Sequence, residues 1–456
     1  MRSREQQGLG KGCYPWVASR HLTSRQETPL SSALPRRRTV ATAVLAASLA
    51  SLCAIAPAAS ADEHAIPGTA GASTLSDTPE PARPAFYEPP AQIPSTPGTV
   101  IRQEKADNVL DPLDASSLSY DARRVMYSST DREGTPIAVT AVVVSPKAPW
   151  VGPGKRPIIS YAAGTQGMAD ACAPSRQLKA MTEYETIFFK DLLFRGYTVA
   201  LTDYQGLGTP GTHTYMVREA QGHAVLDLAR ATQRVGLPGT DTRTPVGLSG
   251  YSQGGGAAAA AAELAGSYAP ELDVKGTVAG APPADLAPVS KQIDGSLYSA
   301  FELYATAGLF SAYHVNPSTY LNAKGVALLP KVEGNCVINL FDLAFIRSST
   351  LTKDGRPMDQ AFTEEPLRSL VADNRIGRTK PNAPVLVTSS LTDDVIPYAV
   401  PRQLAKDWCS RGANVWFQPI ITPTHLGGAI PTAAYATTFF ESRFNGLTQL
   451  PNCGAY

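Results

Sequence analysis

Along most of this chain, short β-branched and apolar runs alternate with segments whose apolar residues recur at helical spacing. Residues 123–129 and 136–145 are β-rich and flank the turn-forming Asp131-Arg132-Glu133-Gly134, which predicts a hairpin. Further strands are expected at residues 156–161, 197–202, 244–249, 274–279, 384–389 and 414–420. Helices are expected at 177–195, at 223–235 and after Gly254. Strand and helix follow one another in turn. The predicted fold is therefore α/β, a mostly parallel sheet covered by helices on both faces, with reactive groups on loops beyond the strands' carboxyl ends.

The alternation stops between residues 279 and 384. Phe301, Leu303, Tyr304, Leu309, Phe310 and Leu367 are among apolar positions at helical spacing in a stretch too long to be a loop, which predicts a mainly helical cap over residues 282–380. Its apolar stripes are expected to serve packing first.

At the other end, Arg36-Arg37-Arg38 precedes an uncharged apolar run and the small-residue sequence Ala59-Ser60-Ala61, which reads as a cleaved export signal over residues 1–61. A membrane anchor is the weaker reading, because the run is short and alanine-rich. Residues 62–104, rich in Pro, Ser and Thr, are expected to form an extended arm before a catalytic domain at 105–453. Cleavage removes eight basic and two acidic residues and turns the formal charge from +1 to −5, so nothing electrostatic favours nucleic acid. It also removes Cys13 and Cys53. Cys172, Cys336, Cys409 and Cys453 remain in a chain expected to be secreted, where three pairings into two disulfides are open; Cys172 with Cys336 and Cys409 with Cys453 is the preferred one.

The chemistry centres on Gly250-Tyr251-Ser252-Gln253-Gly254, placed where a buried strand turns into a helix opened by glycines and alanines. That setting makes the pattern a nucleophile elbow, with glycines where side chains would collide around a strained serine. A serine hydroxyl needs a base, and the base an orienting acid, in the chain order serine, acid, histidine. Of the histidines outside the export signal, His64 lies in the arm, His213 and His223 precede Ser252, and His314 falls in the cap before any suitable acid. His425 is left as the base. Asp393 is the candidate acid, with Asp394 as competitor; the one not used is expected to be a solvated turn carboxylate. The developing oxyanion needs preorganised donors. One is expected from the backbone N–H of Gln253, the other from Gly164-Thr165-Gln166-Gly167, with Gln166 favoured over Thr165.

Taken in order, the elbow, Cys172-Ala173-Pro174-Ser175, residues 202–208, the Asp393 turn and the His425 loop resemble the secretory lipase family typified by yeast lipase A, over about residues 105–453. The resemblance implies an α/β-hydrolase core, a helical lid after the sixth strand, and hydrolysis of triacylglycerols and other carboxylic esters. It places the triad on Ser252, Asp393 and His425 and an oxyanion side chain on Gln166, where the yeast relatives carry aspartate. It also supports the preferred disulfide pairing.

Other motifs carry less. Gly206-Leu207-Gly208-Thr209-Pro210-Gly211 follows a strand, but Pro210 and the residues after it do not open a helix, so no dinucleotide site is expected. Metal-ligand spacings are missing, and no metal or cofactor is expected. The expected partner is a lipid or small ester at a lipid–water interface, with no stable membrane span once the signal is removed; the sequence leaves the oligomeric state open. Acyl transfer or peptide cleavage on the same triad, and a non-catalytic binding protein of hydrolase fold, are the alternatives.

Overall fold

The computed structural model describes residues 83–106, 120–180 and 182–456. The expected export signal, residues 62–82 of the expected arm, and Cys13, Cys53 and His64 lie outside them. Among the described residues, nine strands form one sheet in the spatial order β1 (Val100–Lys105), β2 (Tyr120–Thr130), β3 (Pro136–Pro146), β5 (Thr198–Thr202), β4 (Ile158–Ala162), β6 (Val246–Tyr251), β7 (Val274–Gly280), β8 (Val385–Ser390) and β9 (Val415–Ile420). β1, β2, β3 and β5 are joined antiparallel, and every pair from β5 to β9 is parallel. The central strands β4, β5, β6 and β8 are buried along their whole length, as strands covered on both faces should be.

The sheet is wrapped by α1 (Pro174–Ala180), α2 (Thr186–Phe194), α3 (Arg218–Arg234) and α4 (Gln253–Tyr268). A cap of α5 (Leu286–Ile293), α6 (Ser299–Ala312), α7 (Pro317–Tyr320), α8 (Ala323–Glu333), α9 (Met358–Ala361) and α10 (Leu367–Asp373) lies between β7 and β8. The chain closes with α11 (Ala399–Ser410) and α12 (His425–Phe444). Two glycines of β6 show how closely the layers meet. A Cβ on Gly247 would collide with Phe440 of α12, and one on Gly250 with the backbone of Gly254 in α4. Three positions apart on a strand, the two point to opposite faces, so α4 and α12 cover the sheet from either side. The run from Gly254 to Ala262 is buried throughout; its small side chains let α4 lie against β6 and β7.

Glu263, fully buried near the end of α4, is the anchor between core and cap. It pairs with Arg218 at 2.6 Å and also accepts hydrogen bonds from Trp408 Nε1 at 2.8 Å and from the backbone N–H groups of Gly377 and Thr379. A buried carboxylate is tolerable when every lone pair is used in this way. The cap packs apolar clusters around Leu309, Phe310, Leu367 and Leu370, which take in Val217 and Ala220, and around Tyr304, Val332 and Leu343, which take in Met168 and Tyr215. The cysteines pair as Cys172–Cys336, joining the loop after β4 to the cap, and Cys409–Cys453, joining α11 to the C-terminal tail.

Two expectations need correction. Residues 83–104 are not a free arm: Tyr87 is buried with its hydroxyl 2.8 Å from Ser175 Oγ, Arg83 meets Asp170 at 2.6 Å, and residues 100–105 form the edge strand β1. Edge pairing draws on backbone N–H and C=O groups, which composition does not reveal. The helix expected at 177–195 is two helices, because the Glu183 carboxylate accepts from the N–H groups of Glu185 and Thr186 and so starts α2 afresh.

Candidate active site

Ser252 sits between β6 and α4 with φ 60° and ψ −123°, a backbone conformation that costs energy for a non-glycine residue. It is held there by its N–H on Gly280 O at 2.9 Å and by the close packing that requires Gly250 and Gly254. The turn leaves its Oγ 2.8 Å from His425 Nε2. His425 opens α12, and its Nδ1 lies 3.0 and 2.9 Å from the two carboxylate oxygens of Asp393, on the turn after β8. A ring nitrogen facing a carboxylate carries the proton, which leaves the Nε2 lone pair for the serine hydroxyl. Asp393 is itself fixed by the backbone N–H groups of Val395 and Ile396 at 2.9 and 2.8 Å. Residues 252, 393 and 425 thus meet at the carboxyl ends of β6, β8 and β9.

Asp394 is exposed on the turn after β8, as expected of the second aspartate, and it also has two partners. Its Oδ1 accepts the backbone N–H of His425 at 2.7 Å, at the positive end of α12, and its Oδ2 accepts the Tyr298 hydroxyl at 3.2 Å. The backbone carbonyl of His425 is held as well, by the Tyr251 hydroxyl at 2.6 Å. Sequence reasoning gave Tyr251 no task, although its place beside the nucleophile was the available signal.

Gln253 begins α4, so its N–H belongs to the unpaired first turn. Its side chain is turned into the core, where Nε2 donates to Gln221 Oε1 at 3.0 Å and to His213 Nε2 at 3.1 Å. His213 donates from Nδ1 to the carbonyl of Gln205; burial lowers its pKa to about 4, so it stays neutral. His223 is also buried, against Thr130, and lowered to about 4.

The loop 164–167 is held residue by residue from the break between α1 and α2. Glu185 accepts the N–H of Gly164, the Tyr184 hydroxyl donates to the carbonyl of Thr165 at 2.8 Å, and Glu183 accepts the side-chain amide of Gln166 at 3.2 Å. The same amide accepts from Gln177 at 2.8 Å, while the Thr165 hydroxyl bonds to Tyr215 at 2.6 Å. Burial is the main cause that raises both carboxyls, Glu183 to about 7 and Glu185 well above its ordinary range, and the repulsion from Glu183 adds to the rise in Glu185. The cap grips the loop from the other side: Met168 N–H donates to Asn335 O, Val337 N–H to Gln166 O, and the Cys172–Cys336 bond lies beside them.

A cavity opens at Ser252 and is lined by cap and core residues including Met216, Leu286, Val289, Ile293 and Phe301. Another, among Ala262, Leu272, Val274 and Asn382, has no titratable group in its lining and is remote from Ser252 in the fold. Among the described residues, no cluster of three or more His, Cys, Asp or Glu could hold a metal, and no helix is long and apolar enough to cross a membrane.

The sequence model described as Secretory lipase matches residues 173–452. A probable inactive lipase of Mycobacterium tuberculosis is 29% identical over 385 residues, spanning 79% of this chain and 82% of the relative. A secreted triacylglycerol lipase of Malassezia globosa is 29% identical over 386 residues, spanning 79% of each. Candida antarctica lipase A in its closed state matches in structure with a TM-score of 0.70 and 24% identity, over 81% of this chain and 89% of that one, which shows a shared α/β-hydrolase fold.

Proposed function

The chain belongs to the secretory lipase family, and from that premise we propose how it works as a secreted serine hydrolase of carboxylic esters. Ser252 attacks the ester carbonyl while His425 Nε2 takes the hydroxyl proton. Asp393 keeps the imidazole in the right tautomer and offsets the charge it acquires. His425 then protonates the departing alcohol, and water, activated by the same imidazole, releases the acyl group from Ser252. The oxyanion is met by the backbone N–H of Gln253 and by Gln166. For Gln166 the backbone N–H is the better donor, since its side-chain amide is committed to Glu183 and Gln177.

The observation that carries this reading is the 2.8 Å contact of Ser252 Oγ with His425 Nε2, backed by Asp393. The apolar cavity beside Ser252 suits the acyl chain of a lipid. Ile421 is 87% exposed and Leu426 69% exposed on either side of His425, which favours work at a lipid–water interface. Similarity to a relative described as probably inactive makes the direct test a chemical one. A fluorophosphonate should label the wild type and not Ser252→Ala, and p-nitrophenyl esters and emulsified triglyceride should be cleaved only by the wild type. A wild type that is folded, unlabelled and inactive on both would leave a binding protein as the reading.

A further inference from the structure

The cap contains a buried acid that the reaction above does not use. Glu302, in the first turn of α6, is 3% exposed. Its Oε1 accepts the Ser290 hydroxyl from α5 at 2.6 Å; its Oε2 is buried with no donor facing it among the described residues, and the protonated carboxyl has Asp294 as a hydrogen-bond acceptor. Two apolar cavities lie against it. One is the cavity at Ser252, with Val289, Ile293, Phe301 and Leu309 in its wall. The other is lined by Leu321, Leu328, Leu329, Val332 and Leu351. Glu302 is the one residue common to both linings.

A carboxyl in such a place is expensive where leucine would pack at no cost in hydrogen bonding. Burial first, and then the neighbouring Asp294 carboxylate, raises its pKa to about 8, so it stands neutral at pH 7. The bond to Ser290 ties it to the adjacent cap helix, so it does not swing aside as a methionine would. An acyl chain gains with every methylene placed on the apolar wall of the first cavity. It gains nothing by covering a pinned polar group that it cannot hydrogen-bond.

We propose that Glu302, pinned by Ser290, is the specificity-determining stop of the acyl cavity, separating it from a second apolar chamber and limiting the chain length of the esters presented to Ser252. This deepens the ester-hydrolase reading and rests on Ser252 being the nucleophile. Removing the stop joins the chambers and admits longer chains.

The test is the ratio of kcat/KM for p-nitrophenyl palmitate to that for p-nitrophenyl butyrate. Glu302→Ala should raise the ratio about tenfold or more. Ser290→Ala, which only unpins the carboxyl, should raise it about threefold. Glu302→Gln keeps the shape and the Ser290 bond and should stay within about twofold of wild type. Should Glu302→Ala fail to fold, Ser290→Ala decides. An unchanged ratio in the folded alanine variants overturns the proposal, as does a Glu302→Gln shift as large as that of Glu302→Ala. Those results leave the hydrolase reading standing. A wild type inactive on both esters and unlabelled at Ser252 removes the reading itself.

Discussion

Asp394 holds the backbone N–H of His425 at 2.7 Å while Asp393, the residue before it, holds the imidazole of the same histidine. Adjacent carboxylates thus fix one histidine at two points, and they should separate cleanly in kinetics. Asp393→Asn leaves Nδ1 without a charged acceptor and should lower kcat on a soluble ester by about 10³–10⁴. Asp394→Asn weakens the seat of the ring without touching its chemistry, and a loss of about tenfold is expected. Equal losses, or the reverse order, would give the orienting role to the wrong aspartate.

Residues 183–185 grip residues 164–166 one to one, and an oxyanion donor matters only as charge develops on the substrate. Tyr184→Phe frees the carbonyl of Thr165 and should lower kcat about tenfold with KM nearly unchanged. Gln166→Ala should cost no more than that, because its backbone N–H survives. A Gln166→Ala loss near 10³ would instead assign the donor to the side chain.

The parallel sheet and the meeting of Ser252, Asp393 and His425 were legible because each leaves a local or ordered trace. Short β-branched and apolar runs alternate with helical segments, and the order serine, acid, histidine admits one histidine, His425. The grip on the loop was not legible, since the helix expected at 177–195 runs straight through Glu183 and Glu185, whereas the Glu183 carboxylate accepts the N–H groups that start α2. Choosing between Asp393 and Asp394 left the second aspartate without a role, because its partner is a backbone N–H thirty-one positions away. The edge strand β1 was hidden for a similar reason: its pairing with β2 is made by main-chain groups common to every sequence.

Buried acids also give the fold a pH dependence with a definite sign. Burial, the leading cause in each case, raises Asp203 and Asp227 to about 6, Glu183 to about 7 and Glu302 to about 8. Each is protonated in the fold and ionised in the unfolded chain at pH values between its ordinary and its raised pKa. Their stabilisation is therefore present in acid and lost as pH rises through those values. His213 and His223, lowered to about 4, act the other way, but only below about 6.5, where the unfolded histidines take up protons. Tm measured by scanning calorimetry should fall between pH 6.5 and about 8, and Glu302→Gln should flatten the upper part of that fall. A Tm that is level or rising across this window would mean that these carboxyls are ionised in the fold.

The rim of the site offers a separable test of lipid contact. Ile421 and Leu426 are exposed on the loop and first turn that carry His425, and the backbone N–H of Leu391, itself 48% exposed, bonds to Ile420. Apolar side chains exposed beside His425 gain about 25 cal/mol for each Å² removed from water when an acyl surface covers them. A soluble short-chain ester reaches Ser252 without that contact. The double variant Ile421→Ser, Leu426→Ser should therefore lose about tenfold in activity on emulsified triglyceride and less than about twofold on p-nitrophenyl butyrate, through weaker adsorption rather than slower chemistry. Parallel losses on both substrates would place the two residues in the support of His425, and no loss on either would remove the interface from the proposed function.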